Sequence, residues 1–369
     1  MKAIILTGAT GSLGGHLAAA LLEQPHPVVH CLVRASDAAV ADRRLRARMA
    51  EIGTDDPARL VAVPANLESP RLGMLPQVWN DMTEQVGQIF HCAASVHLTA
   101  PYQQLAPANV GGTRELLELA TAIAGRSGTE VGFHYVSTLA VFLDAARAGI
   151  PVADESTPPT MQTAGELGYP RSKVAAERAV ARAADRGVAG TVYRPGLVTG
   201  DSVTGDTSAS DLLMPVLRAV VAIGYAPDRA EAVPGEAVDL VARHIVRLSP
   251  GRTGGDAYHM IKPELVSLMG AFDALRRAGY RLDEVAPDKW WELAQQRRDD
   301  REVAPLMHMG QIGRRMLGLE PDYPMPPVRS DRTYATLRAS WPEPAPLDDA
   351  FFDRLVARGF RRFASAPQA

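Results

Sequence analysis

The chain has 369 residues, enough for one large domain or two intimate ones. Its 46% hydrophobic and 22% charged residues are ordinary for a globular protein, and a formal charge of −3 excludes the basic excess of a general nucleic-acid binder. No apolar run approaches the roughly 18–20 residues that span a membrane, so no membrane anchoring is expected.

In chain order, Lys2 to Leu6 is an apolar run of strand length, turned by Thr7-Gly8-Ala9-Thr10-Gly11-Ser12-Leu13-Gly14-Gly15 into a helix predicted over 16–22. Strand, glycine loop and helix in that order make a phosphate site. Gly8 serves the tight turn, Gly11 lets backbone approach a pyrophosphate, and Gly14 permits close helix–strand packing. The spacing is G-x-x-G-x-x-G, unlike the G-x-G-x-x-G dinucleotide fingerprint. The chain opens directly on this strand, leaving no room for a signal peptide, and a cytoplasmic protein is expected. Cys31 and Cys92 both lie in apolar runs, the pattern of buried thiols rather than a disulfide framework.

A second strand over 28–33 ends at Arg34, where a carboxylate would hold a ribose diol and an arginine favours a 2′-phosphate. Arg34 therefore points to NADPH. Asp37 lies beyond the strand end. Of Arg43, Arg44, Arg46 and Arg48 on the next helix, most are expected to form a solvated face, with Arg44 kept as a cofactor contact. Further strands are predicted over 60–64, closing on Asn66-Leu67; over 86–94, where Ala93-Ala94 lets a cofactor pass close; over 132–136, ending at Ser137-Thr138; over 191–196; and over 257–261. Helices are predicted over 114–124 (opened by 109–113), from 169 to about 184, and over 212–223 and 237–248. Strands alternating with helices imply an α/β fold, a Rossmann-type doubly wound parallel sheet whose ligands sit beyond the strands' carboxyl ends. Residues 262–369 lose that rhythm and hold Trp290, Trp291 and Trp341, with short helices near 267–278 and 287–296. The expected organisation is a nucleotide-binding domain over 1–261, its segments after about 196 interleaved with a smaller, mostly helical substrate domain over 262–369. His91, Cys92 and His97 lack metal-ligand spacing, and no metal is expected.

Tyr169 and Lys173 lie four apart, so on a helix they share one face. A lysine beside a tyrosine favours the phenolate and is expected to lower its pKa from about 10 toward neutrality. Such a tyrosine passes a proton to an oxygen that gains charge in hydride transfer, and Thr138 can donate to the same oxygen.

TGATGSLG, ANVGGT, VSTLAVF, YPRSK and YRPG occur in the order found in extended short-chain dehydrogenases/reductases, which the chain resembles. CLVRA, HCAASVHLTAPYQQLAPANVGGT, GYPRSKVAAE, RPGLVTGDSVTGDTSASD and AVDLVARHIV extend the resemblance to thioester reductase domains. These end nonribosomal peptide and polyketide assembly lines and carboxylic acid reductases. The resemblance implies NADPH-dependent reduction of an acyl thioester on a carrier protein's phosphopantetheine arm, or on coenzyme A, to an aldehyde and sometimes an alcohol. It makes Thr138, Tyr169 and Lys173 catalytic, with Lys173 also on the nicotinamide ribose. It puts Gly8, Thr10, Gly11, Leu13 and Gly14 at the pyrophosphate and Arg34 at the 2′-phosphate. Asn66-Leu67 stand at the adenine, where the family usually has Asp-Leu. Ser12, Ala93, Ala94, Asn109, Pro195, Gly196 and Val198 complete the cofactor contacts. Ser12 replaces a usual aromatic and Cys92 a usual asparagine. Competing readings are a nucleotide-sugar epimerase or small-carbonyl reductase of the same superfamily, and a non-catalytic cofactor-binding regulator. Arg297, Arg298, Arg314 and Arg315 are weighed as a docking surface for an acidic carrier protein.

Overall fold

We analysed a computed structural model, which describes residues 2–25, 28–54, 57–208, 211–251, 254–320, 328–338 and 347–364. Seven parallel strands form the main sheet: β1 (Ala3–Thr7), β2 (Val29–Val33), β3 (Leu60–Pro64), β4 (Val86–His91), β5 (Val131–Val136), β6 (Val188–Pro195) and β7 (Ala257–Met260). Every position of β1 is buried, as an unbroken apolar run covered on both faces requires. The strand order is β3-β2-β1-β4-β5-β6-β7, so the chain reverses direction across the sheet between β1 and β4. That reversal opens a crevice beyond the carboxyl ends of β1 and β4. This is the doubly wound α/β sheet that the alternating pattern predicts.

The helices α1 (Ser12–Leu22), α2 (Ala38–Ile52), α3 (Pro76–Gln85), α4 (Gly112–Ser127), α5 (Gly168–Arg182), α6 (Leu213–Ile223) and α7 (Val238–Leu248) follow in order. Leu17, Leu21, Leu45, Val241 and Ile245, from α1, α2 and α7, pack on one face of the sheet. Trp79, Met82, Leu116, Ile123 and Val180, from α3, α4 and α5, pack on the other. Burying one such leucine contributes about 1.5–3 kcal/mol, so these two stripes hold the three layers together.

A second core joins α6 to α8 (Leu268–Arg277), α9 (Pro287–Gln296) and α11 (Asp349–Ala364), through Leu217, Phe272, Trp290, Phe351 and Leu355. Interleaving runs both ways. Helix α10 (Asp331–Arg338) returns to the sheet, where Leu337 joins the core of α7, and Val328 bridges Ala153 in parallel. A boundary at 261/262 therefore misplaces 328–338, which an exposed-looking, arginine-rich stretch gave no reason to assign to the sheet.

Three element ends also differ. Helix α1 starts at Ser12 rather than 16, because Gly14 and Gly15 sit inside it. Strand β4 stops at His91, leaving Cys92 to Ala94 as irregular backbone, and β6 starts earlier, at Val188. Residues 107–111 form a wide π turn ahead of α4. Trp341, and residues 209–210 of the stretch RPGLVTGDSVTGDTSASD, lie outside the described residues. No helix among the described residues is long and apolar enough to cross a membrane.

Candidate active site

The glycine loop follows directly from β1. Gly8 has φ +84°, and a Cβ there would stand 2.9 Å from the Ala93 nitrogen at the exit of β4. A Cβ on Gly14 would stand 2.1 Å from the Gly8 carbonyl oxygen, so only glycine lets α1 pack this close to the loop. Gly11 caps α1 with no side-chain hydrogen bond, and no acid lies in the first turn. The first N–H groups of a helix have no partner inside it, and here no side chain fills the place. Helix α2 differs: Asp37 accepts from the Val40 N–H at 2.8 Å. The start of α1 is thus fitted to an anion, with Thr10, Ser12 and Leu13 half-buried and Gly11 exposed around it.

Behind the loop runs a buried polar chain. Thr7 Oγ1 accepts from the Ala93 N–H at 3.0 Å and pairs with His91 Nδ1 at 2.8 Å. His91 Nε2 pairs with Thr113 Oγ1 at 3.0 Å, and Thr113 donates to the Asn109 carbonyl at 2.7 Å. Burial pushes His91 down to about 3, so the ring is neutral. Asn109 is itself buried and bridges elements. Its Oδ1 accepts from the Ser95 N–H at 2.7 Å, and its Nδ2 donates to Ser95 O at 3.0 Å and Ser172 Oγ at 2.9 Å. Expected as a cofactor contact, Asn109 instead ties the β4 exit loop to α5, because its amide is spent on protein partners.

Helix α5 carries Tyr169 and Lys173 on the stripe facing the end of β5. Lys173 is buried, donates to the Val136 carbonyl at 2.8 Å, and stands 4.8 Å from the Tyr135 ring centre and 6.0 Å from that of Tyr169. Burial draws Lys173 down to about 8, while Cys92 and Glu177 oppose that fall. The half-buried Tyr169 does not show the lowered pKa expected from its lysine. Burial pushes the phenol up, the Cys92 side adds to it, and the ammonium lies over the ring rather than on the hydroxyl. Thr138 is half-buried at the end of β5; its Oγ1 accepts from the Ala140 N–H at 3.1 Å, which leaves its O–H free to donate. One turn beyond Lys173, Glu177 accepts from Ser137 Oγ at 2.5 Å and pairs with Arg194 Nη2 of β6 at 2.9 Å. All three side chains are buried. Removing one partner of a buried ion pair costs about 3–5 kcal/mol. No sequence motif singles out this network, although the four-residue step from Lys173 to Glu177 continues the Tyr169–Lys173 stripe.

The far end of the crevice is exposed. Arg34 lies in water just past β2 with no bonded partner among the described residues, and Arg44 donates to the Arg34 carbonyl. Asn66 is exposed, and its amide serves its own turn: Nδ2 donates to Ser69 Oγ at 3.0 Å and Oδ1 accepts from the Glu68 N–H at 3.1 Å. Leu67 packs on Gly112. Arg48, expected on a solvated face, donates from Nε to the Gly11 carbonyl at 3.1 Å and so braces the glycine loop. At the end of β6 Pro195 is buried, and beyond it Gly196 and Val198 are half-buried; a Cβ on Gly196 would stand 2.2 Å from the Pro234 carbonyl oxygen.

Of the four arginines weighed as a docking surface, Arg297 and Arg298 are exposed and Arg315 is not. Arg315 is buried, donating to Leu143 O at 2.7 Å and Asp144 Oδ1 at 2.6 Å, and Arg314 is held by Glu320 at 2.7 Å. Arg297 donates to the Ala222 carbonyl. Among the described residues no group of three or more His, Cys, Asp or Glu side chains could hold a metal.

Residues 6–245 match the NAD-binding family described as Male sterility protein (NAD_binding_4). The chain is 38% identical over 296 residues to an isonitrile lipopeptide synthase of Streptomyces coeruleorubidus, covering 78% of this chain and 19% of that protein. It is 32% identical over 305 residues to a component of the linear gramicidin synthase of Brevibacillus parabrevis, covering 81% of this chain and 6% of that protein. The chain therefore spans less than a quarter of the length of these relatives. Among solved structures, the terminal R domain from the myxalamid PKS-NRPS biosynthetic pathway superposes with a TM-score of 0.87 at 30% identity, covering 100% of this chain and 93% of that one. The chain belongs to the NAD_binding_4 family and, within the extended short-chain dehydrogenases/reductases, to the terminal reductase domains, and it is an NAD(P)-dependent oxidoreductase.

Proposed function

We propose that this protein uses NADPH to reduce an acyl thioester carried on the phosphopantetheine arm of a carrier protein, releasing an aldehyde. The observation that carries the reading is the stripe of Tyr169 and Lys173 on α5, held to the end of β5 next to Thr138, at the same carboxyl edge of the sheet from which the uncapped α1 starts. Bound NADPH supplies a hydride to the thioester carbonyl carbon. As that carbon is reduced, Tyr169 O–H gives its proton to the carbonyl oxygen and Thr138 O–H donates a hydrogen bond to it. The Lys173 ammonium, fixed by the Val136 carbonyl, stabilises the phenolate left behind and holds the nicotinamide ribose. The hemithioacetal then loses the thiol: the C–S bond breaks, the carbonyl re-forms, and the sulfur leaves with a proton.

Support for NADPH over NADH comes from Arg34, an exposed guanidinium at the end of β2 with no acid beside it, since Asp37 is spent as the cap of α2. Support for a carrier-bound substrate comes from the similarity to a terminal R domain of a PKS-NRPS pathway. The test is NADPH oxidation with an acyl carrier-protein thioester, an acyl-coenzyme A and the matching aldehyde offered separately. The carrier thioester is expected to be consumed fastest. No turnover of any thioester, with rapid turnover of a sugar nucleotide or ketone, would replace this reading with the epimerase or carbonyl-reductase alternative.

A further inference from the structure

Two adjacent residues at the end of β5 grip α5. The Val136 carbonyl takes Lys173 Nζ at 2.8 Å, and Ser137 Oγ donates to Glu177 Oε1 at 2.5 Å. Thr138 is the next residue, so the place of its hydroxyl depends on both grips. Glu177 is held from the other side by the Arg194 guanidinium, Nε at 3.2 Å and Nη2 at 2.9 Å. Arg194 in turn lies over the Phe142 ring at 5.2 Å and meets His259 Nε2 at 3.3 Å. A buried carboxylate tied to a buried guanidinium is costly to assemble and makes a rigid unit once assembled.

We propose that Glu177 is a positioning residue: braced by Arg194, it locks the β5 end that carries Thr138 to the helix that carries Tyr169 and Lys173, and keeps Lys173 charged. The proposal rests on the reading of Lys173 as the ribose and tyrosine partner. Lys173 is faced by Tyr169 and Glu177 of its own helix, by Tyr135 of β5, and by His91 and Cys92 at the end of β4. His91 is neutral there; burial pushes the Cys92 thiol up to about 12, and Cys92 joins Glu177 in opposing the fall of Lys173. Arg194 and, behind it, His259 stand on the far side of Glu177. Glu177 is thus the carboxylate set against Lys173 while burial draws the lysine down to about 8. Without that carboxylate the lysine loses its proton at lower pH.

The experiment measures NADPH affinity by fluorescence titration and thioester turnover, both across pH, for the wild type and three variants. Glu177→Gln keeps the shape and an acceptor for Ser137 but removes the charge. It is expected to move the alkaline fall in NADPH affinity and in kcat down by about one pH unit. Glu177→Gln/Arg194→Gln, which strands no buried guanidinium, should move it the same way but by less, because the lost guanidinium also repelled the ammonium. Ser137→Ala cuts only the strap from β5 and should lower kcat about threefold to tenfold without moving the alkaline fall. An alkaline fall that stays at the wild-type pH in whichever Glu177 variant folds would overturn the charge role, and an unchanged kcat in Ser137→Ala would overturn the strap. Wild-type protein that binds NADPH but reduces no thioester would sink the substrate reading alone, since the affinity profile still reports on Glu177.

Discussion

The two ends of the cofactor crevice are built on opposite principles. At the Tyr169 end, Thr7, His91, Asn109, Ser137, Lys173, Glu177 and Arg194 are buried, and each is hydrogen-bonded to protein partners. At the Arg34 end, Arg34, Arg44 and Asn66 stand in water, tied only to their own loops. Proton transfer needs reacting groups held in place in a dry setting, where charge interactions are strong. Recognition of a phosphate needs only positive charge within reach, and exposed charge is screened by salt. On the proposed reading, one end serves the chemistry and the other the choice between cofactors.

That contrast can be broken or sharpened by substitution. Tyr169→Phe removes a proton donor from the dry end and should lower kcat by about 10²–10⁴-fold. NADPH affinity should be nearly unchanged; measured turnover close to wild type would remove the tyrosine from its role. Arg34→Ala, at the wet end, should weaken NADPH by about tenfold to a hundredfold in low salt and leave NADH and kcat almost untouched. The gap should narrow as salt is added, and equal loss for both cofactors would count against a 2′-phosphate contact. Asn66→Asp places at this exposed turn the acid that the family resemblance leads one to expect there. It should tighten either cofactor by only about twofold, read by titration, because exposed substitutions seldom exceed about 0.5 kcal/mol.

Much of the wet end could be read directly. Arg34 follows an apolar run at the place where a strand must end, and the glycines of the loop announce a backbone that no side chain may crowd. The Tyr169–Lys173 pair was equally legible, because helix geometry alone puts residues four apart on one face. The supporting side chains were not. Asn109 reads as a cofactor contact until its amide is seen bridging Ser95 and Ser172. Arg48 reads as solvated until its guanidinium is seen on the Gly11 carbonyl, and Arg315 reads as a docking residue until it is found buried on Asp144.

Local pattern thus determined the strands and helices, the parallel sheet, the uncapped glycine loop and the shared face of Tyr169 and Lys173, because each depends on periodicity or on residues near in sequence. Tertiary structure decided what those residues lean on. Glu177 meets Arg194 across 17 positions, Asn109 meets Ser172 across 63, and Arg315 meets Asp144 across 171. It also decided that α10 leaves the helical region and packs on the sheet, where burying Leu337 against α7 outweighs the polar character of its neighbours. The fall in the pKa of Lys173 has the same origin, since desolvation acts only once the chain has folded around it.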